Sequence, residues 1–117
     1  MNSITFEELP EYRKDMKQLL KKYRTLQQDI EELKKALVVE PDADLPFSYR
    51  IEGLGLKTCV IKVKKIACKA LKGRGVNSGL RLIYAWYELE QRIVMVELYH
   101  KNDKENEDRG RIFKYFT

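Results

Sequence analysis

Cysteine and histidine, from which disulfide frameworks and zinc sites are most often built, are scarce in this 117-residue sequence, which holds two cysteines and one histidine. Cys59 and Cys68 lack the spacing of a CxxC pair, and no second pair accompanies them. The pattern therefore predicts no metal site. We expect buried free thiols instead, because unpaired cysteine packs like a small hydrophobic residue. No motif predicts a cofactor.

Long apolar runs are also missing, and no stretch approaches the roughly 20 consecutive apolar residues of a transmembrane helix. Glu7, Glu8 and Glu11 near the start do not fit the basic and apolar regions of a signal peptide. We therefore expect no membrane partner and a cytoplasmic location. Hydrophobic residues make up 44% of the sequence, which is enough for one core and so for a single domain, residues 1–117.

Acidic residues are absent from Gly53 to Tyr87, whereas this segment carries eight of the 23 basic residues. The remaining 15 basic and 18 acidic residues give the rest of the chain a net charge of −3, so the overall charge of +5 originates in this segment. Concentrated positive charge suits a polyanionic partner such as RNA. The eight residues are Lys57, Lys62, Lys64, Lys65, Lys69, Lys72, Arg74 and Arg81.

The first third of the sequence predicts a strand followed by two helices. Ser3 to Phe6 is a short β-prone stretch, and Pro10 suits the first turn of a helix because its φ is already fixed near the helical value. Apolar residues then recur at helical spacing in two stripes, which predicts a helical hairpin. Thr25 and Gln28 resemble a capping box at the start of the second helix. The stripes are Tyr12, Met16, Leu19, Leu20 and Tyr23, then Leu26, Ile30, Leu33 and Leu37.

The rest of the sequence predicts a loop and three strands. Prolines and glycines from Glu40 to Gly55 favour a loop. Alternating residues from Thr58 to Ala67 predict a strand with one apolar and one cationic face. Leu80 to Tyr87 and Ile93 to Tyr99 are rich in β-branched and aromatic residues, and their short connection favours an antiparallel hairpin. The apolar residues at the end of the chain predict a short C-terminal helix or docking tail.

Two runs within this pattern resemble toxins of the RelE/ParE superfamily: KALKGRGVNSGLRLIYAWY from Lys69 to Tyr87, and LYHKNDKENEDR from Leu98 to Arg109. The upstream strand and helical hairpin fit as well, so the resemblance covers nearly the whole chain. It implies an α/β domain of the two-layer α+β kind. An N-terminal strand and a helical hairpin would pack on a small, curved, antiparallel-dominated sheet, with a short C-terminal helix or tail.

Most members of this superfamily are toxins of type II toxin–antitoxin systems. The RelE branch cleaves messenger RNA in the ribosomal A site without a metal, so the implied partners are a cognate antitoxin, the ribosome and messenger RNA. The ParE branch inhibits DNA gyrase and is not a nuclease, and the fold alone does not separate the branches. We favour the RelE-like mRNA endonuclease. The alternatives are a ParE-like gyrase inhibitor and an inactive relative that chiefly binds its antitoxin.

Arg81 is the first catalytic residue that the resemblance implies, because SGLRLIY matches the family strand whose arginine contacts the scissile phosphate. The planar guanidinium suits phosphate oxygens and would stabilise the phosphorane. Aligned without gaps on this strand, Lys72 and Arg74 fall on two catalytic lysines of RelE, and Lys101 falls on a second functional arginine. Arg74 could stabilise charge but hardly act as a base, because arginine keeps its proton.

Near the C-terminus, Tyr99 and His100 resemble the Tyr–His pair of YoeB-like members, which includes the general acid. Successive side chains of a strand face opposite sides, so His100 and Lys101 are not expected to serve together, and we prefer Lys101 with Tyr99. Glu107 stands where RelE has a catalytic tyrosine, which departs from the family pattern. Glu97 shares a face with Tyr99 and is a candidate general base.

Four lysines of the basic segment are expected to bind the RNA backbone, and the alternative is an ordinary solvated surface. For Arg81 the alternative is a structural ion pair with Glu97 or Glu88 across the sheet. The alternating residues around Tyr84 and Trp86 are expected in the core rather than on a base-stacking platform. The four lysines are Lys62, Lys64, Lys65 and Lys69.

Overall fold

The computed structural model describes residues 3–43 and 47–117, which contain five strands and three helices. The predicted α+β class is confirmed, with a helical hairpin after the first strand. In chain order the elements are β1 (Thr5–Glu8), α1 (Pro10–Leu20), α2 (Leu26–Val39), β2 (Ser48–Arg50), β3 (Cys59–Val63), β4 (Leu80–Tyr87), β5 (Arg92–His100) and α3 (Arg109–Phe116).

The strands form one mixed sheet in the order β1-β5-β4-β3-β2. β1 lies parallel to β5, and every other neighbouring pair is antiparallel. Both edge strands are short, with four residues in β1 and three in β2, which limits the unpaired backbone at the edges. Ile83 pairs with Glu97 and Tyr84 with Met95, so β5 carries Val96 as an extra, bulged residue.

One face of the sheet packs against the helical hairpin. Alternation along β4 places Leu80, Leu82, Tyr84 and Trp86 on this face, and all four are buried. The Tyr84 hydroxyl donates to the carbonyl oxygen of Pro41, just after α2, at 2.7 Å. The prediction that these aromatic residues belong to the core is therefore confirmed. From the hairpin the core receives Tyr12, Leu26, Ile30 and Leu37.

The opposite face of the sheet meets the C-terminal segment, residues 101–117. The Lys62 ammonium contacts the Glu107 carboxylate there, and the ring of Phe116 packs beside that of Tyr87 with centroids 6.5 Å apart. Of the two predicted forms of the C-terminal element, a short helix or a docking tail, the structure has the helix, α3. Two charged residues of this face, Lys62 and Glu97, are therefore covered by a short segment that follows the last strand.

Three local expectations differ from the structure. The segment 40–55 contains β2, too short a strand for a periodic signal, and its residues 44–46 lie outside the described residues. The capping box is absent because Thr25 has helical backbone angles, φ −89° and ψ −1°, whereas a capping residue is extended. β3 stops at Val63 instead of continuing to Ala67, because neither neighbouring strand pairs beyond Val63.

Candidate nucleic-acid interface

Arg81, the second residue of β4, lies half-buried on the sheet face opposite the hairpin. Its Nη1 donates to the carbonyl oxygen of Lys64 at 2.7 Å and to that of Leu80 at 3.2 Å. Neither Glu88 nor Glu97 pairs with it, so the structural ion pair considered above does not form. Carbonyl acceptors hold the guanidinium in place without neutralising it. Arg81 thus keeps a positive charge for an external anion.

A basic loop, defined as residues 64–79, connects β3 to β4. Its five cationic side chains are exposed, and none forms an ion pair with an acidic residue in the described ranges. The Ser78 hydroxyl closes the base of the loop by donating to the carbonyl oxygen of Ile66 at 2.5 Å. The exposed cations of the loop are Lys64, Lys65, Lys69, Lys72 and Arg74.

Two cavities flank the basic loop. One of about 200 Å³ is lined by three cations, Lys22, Arg74 and Lys101, together with uncharged residues. A second of about 320 Å³ carries Lys69 and Lys72 and is likewise free of acidic lining. Several cations around open cavities can bind successive phosphates of a nucleic-acid backbone. Lys22 was missed by the sequence analysis, because only the tertiary fold brings the end of α1 beside the loop.

Lys62 does not belong to this exposed surface. Its side chain is 6% exposed and its Nζ lies 3.0 Å from Oε1 of Glu107, which is equally buried. Burial disfavours the charge on Lys62, but Tyr99 and Glu107 outweigh it and raise the pKa of Lys62. Burial also acts against the charge of Glu107, but its own backbone N–H and Lys62 prevail and lower its pKa. The sequence predicts a cationic face for β3, but the charge of Lys62 on that face is neutralised by Glu107.

Tyr99 and Glu97 are buried on the same face as Lys62. Tyr99 is 5% exposed, and its hydroxyl has no hydrogen-bond partner among the described residues. Burial raises the pKa of Tyr99, and the ammonium of Lys62 partly offsets this. The carboxylate of Glu97, with no exposed surface, accepts from the Lys104 ammonium and from the backbone N–H of Asp108. Both side chains are thus held inside the fold.

His100 lies on the hairpin face, as the alternation predicts. Its ring stacks on Tyr23 with centroids 5.7 Å apart. Its Nδ1 accepts from the backbone N–H of Asn102 at 3.1 Å, which leaves the proton on Nε2 for the carbonyl oxygen of Ser78 at 2.9 Å. A Cβ on Gly79 would lie 2.6 Å from Nε2. The imidazole is therefore packed and fully hydrogen-bonded, which favours a structural role.

The structure separates Lys101 from Tyr99, which were expected to act together on one face. β5 ends at His100, so strand alternation no longer applies to Lys101, whose backbone N–H donates to the carbonyl oxygen of Gly79. The exposed Lys101 side chain lines the same cavity as Arg74. Lys101 thus lies beside the basic loop, whereas Tyr99 is buried beneath the C-terminal segment.

No group of three or more histidine, cysteine or acidic residues in the described ranges is arranged to hold a metal ion. Both cysteines are free thiols, Cys68 buried as expected and Cys59 half-buried. None of the described helices is long and apolar enough to cross a membrane. Neither the models of known protein families nor the curated proteins include a match to this chain.

Proposed function

We propose that this chain is the toxin of a type II toxin–antitoxin system and a ribosome-dependent, metal-free mRNA endonuclease of the RelE type, acting in the cytoplasm. The resemblance of the two runs from Lys69 to Tyr87 and from Leu98 to Arg109 supports this proposal. The N-terminal strand, helical hairpin and antiparallel-dominated sheet agree with the architecture that the resemblance implies. This agreement concerns the fold, and function depends on the site.

The exposed cations around Arg81 carry the proposal. We define the basic surface as Arg81, Lys101 and the five cations of the basic loop. Its members have no carboxylate partner among the described residues, whereas Lys62, on the same sheet face as Arg81, is neutralised by Glu107. Unpaired exposed cations attract the phosphate backbone and fix its position, and base contacts are needed only for sequence preference.

Cleavage without a metal requires attack of a ribose 2′-oxygen on the adjacent phosphorus, with loss of the 2′-hydroxyl proton. The new O2′–P bond forms as the P–O5′ bond breaks, and the leaving 5′-oxygen takes up a proton. Arg81 and Arg74 stabilise the charge on the phosphorane oxygens, because guanidinium groups keep their protons. We assign protonation of the leaving 5′-oxygen to the ammonium of Lys72 and phosphate binding to Lys101, while solvent water takes up the 2′-hydroxyl proton.

The test is primer extension on a short messenger in a purified translation system, with and without ribosomes. The wild-type protein should cut only on ribosomes, and Arg81→Ala should lower the cleavage rate about 100-fold, as expected for loss of a residue that stabilises the transition state. Arg24→Ala is the matched control, because Arg24 is exposed and lies outside the basic surface. Equal activity of Arg81→Ala and wild type would contradict the proposal.

A second candidate is a toxin that binds its target without catalysis, either as a ParE-like gyrase inhibitor or as an inactive relative that binds its antitoxin. The observation that favours it is Glu107, which occupies the position of an expected tyrosine and neutralises Lys62. Tyr99 and Glu97 are also buried. Intact messenger together with induction of the DNA-damage response would favour gyrase inhibition. Intact messenger without DNA damage would favour the inactive relative.

An antitoxin is part of both proposals. Its chemistry follows from the basic surface, which an acidic extended or helical segment would complement. Association of such a pair should weaken with added salt, because the charges involved are exposed and screened. Isothermal titration calorimetry with an acidic antitoxin peptide at two salt concentrations measures this dependence directly.

A further inference from the structure

Thr25 and Asp29 connect the helical hairpin to the backbone of the basic loop through hydrogen bonds, and a further bond joins the two side chains. The backbone N–H of Ala70 donates to Thr25 Oγ1 at 2.9 Å. The backbone N–H of Lys69 lies between the two carboxylate oxygens of Asp29, 3.3 Å from each. Thr25 Oγ1 in turn donates to Asp29 Oδ2 at 2.8 Å. We call this arrangement the clamp.

The carboxylate of Asp29 is buried, which is uncommon for an acidic side chain. Its side chain is 6% exposed, and its described partners are the Thr25 hydroxyl and the Lys69 backbone N–H rather than a lysine or arginine side chain. Burial of a carboxylate is unfavourable unless hydrogen bonds or charges compensate it. The clamp bonds supply that compensation, and the position of Asp29 in the first turn of α2 adds the favourable field of the helix N-terminus.

Beyond the clamp, residues 72–77 of the basic loop have few attachments. All six are exposed, and their backbone contacts stay within the loop: turns from Arg74 to Leu71 and from Asn77 to Arg74, and a bridge between Asn77 and Ile66. The other attachments lie outside this stretch. Cys68 is buried with its Sγ 3.8 Å from Thr25 Oγ1, Ile66 is buried, and the two ends of the loop are bonded to the sheet and to Lys101. Because Ala70 precedes Lys72 by only two residues, the clamp sets where that side chain starts.

We propose that Thr25 and Asp29 are positioning residues that hold the basic loop so that Lys72 and Arg74 face the scissile phosphate. The inference rests on the proposed endonuclease function. Neither residue touches RNA; both act through the backbone of Lys69 and Ala70. A loop that is already ordered loses less conformational freedom when the transition state forms, so its cations stabilise that state more effectively.

The first measurement is hydrogen–deuterium exchange of the basic loop in Thr25→Val and Thr25→Ser proteins. Valine keeps the shape of threonine without its hydroxyl, so the Ala70 N–H loses its acceptor and residues 69–77 should exchange about tenfold faster. Serine keeps the hydroxyl and should restore the wild-type rate. Glu32→Gln is the control for a change on an exposed face of α2. Unchanged exchange in a folded Thr25→Val protein would overturn the inference.

The second measurement is ribosome-dependent cleavage. Thr25→Val should lower kcat about tenfold and leave KM unchanged, because an interaction lost only in the transition state changes kcat. In a Lys72→Ala background the same substitution should have a smaller effect, since the residue that it positions is gone. An equal factor in both backgrounds would overturn the inference. A wild-type protein that cleaves no messenger would instead refute the proposed function, and the exchange result would still decide whether the clamp holds the loop.

Discussion

The two faces of the sheet differ in how much charged groups contribute to closing them. On the hairpin face, Leu82, Ile30 and Leu37 are each at most 1% exposed. On the opposite face, the C-terminal segment packs through Ile112 and Phe116 and also through charged groups, of which the Lys62–Glu107 pair is the most buried. Apolar packing is non-directional and tolerates exchange of similar shapes, whereas a buried ion pair fails when one partner is lost. The charged face therefore depends on matched partners, whereas the hairpin face depends on filled volume.

The largest effect is expected on the hairpin face. Leu82→Ala should lower the free energy of unfolding by about 4 kcal/mol, because it removes apolar contacts and leaves a cavity. Urea denaturation followed by circular dichroism measures this change. Leu89→Ala is the matched control, since Leu89 is fully exposed and should change stability by less than about 0.5 kcal/mol. Similar values for the two variants would show that this face is loosely packed.

The next largest loss of stability is expected on the charged face. Glu107→Ala should lower the free energy of unfolding by about 3 kcal/mol, because it leaves the Lys62 ammonium buried without a partner. The double variant with Lys62→Met and Glu107→Leu should recover most of that loss, since apolar side chains of similar size replace both charges. If the double variant is as unstable as Glu107→Ala, the pair is needed for more than mutual neutralisation.

The hairpin face could be predicted from the sequence because its signal is local. Apolar residues at helical spacing and strand alternation identify which side chains are buried, and both patterns lie within single elements. The charged face could not, because Lys62 and Glu107 are far apart in the chain and no periodicity connects them. Alternation correctly places Lys62 opposite the apolar side chains of β3, but it does not show that a later segment covers it.

At the candidate site too, features within a single element could be predicted, and contacts between distant segments could not. The opposite orientations of Tyr99 and His100 follow from alternation within β5 and were predicted. The position of Lys101 was not, because the strand ends one residue earlier and the chain turns. Thr25 has the sequence signature of a capping residue, yet its hydroxyl serves the backbone of the basic loop. Only the tertiary structure reveals that contact.

A smaller effect is expected from the pH dependence of stability. The pKa of Glu107 is lowered in the folded state, because its backbone N–H and Lys62 outweigh the effect of burial. A depressed folded pKa means that the carboxylate contributes stability above the unfolded value of about 4.3 and loses it as pH falls through the folded pKa. Unfolding free energies at pH 7, 5 and 3 should therefore decrease toward acid, most steeply below about pH 5.

The Lys62→Met, Glu107→Leu double variant should show a shallower acid slope than the wild type, because it lacks this carboxylate. Glu105→Gln provides the control, since Glu105 is exposed and should leave the slope close to that of the wild type. Parallel acid slopes for the wild type and the double variant would show that other carboxylates dominate acid unfolding.

The smallest change in stability is expected outside both faces, at Lys72. Its side chain is exposed and forms no ion pair with a described carboxylate, so Lys72→Ala should alter the unfolding free energy by less than about 0.5 kcal/mol.

The effect of Lys72→Ala should appear in RNA binding, where each lost phosphate contact on single-stranded RNA lowers the slope of log affinity against log salt by about 0.7. Fluorescence anisotropy with a labelled oligonucleotide measures that slope. Lys35→Ala removes the same charge from the exposed surface of α2 and should leave the slope unchanged. Equal slopes for the two variants would mean that net charge, rather than the basic loop, determines RNA binding.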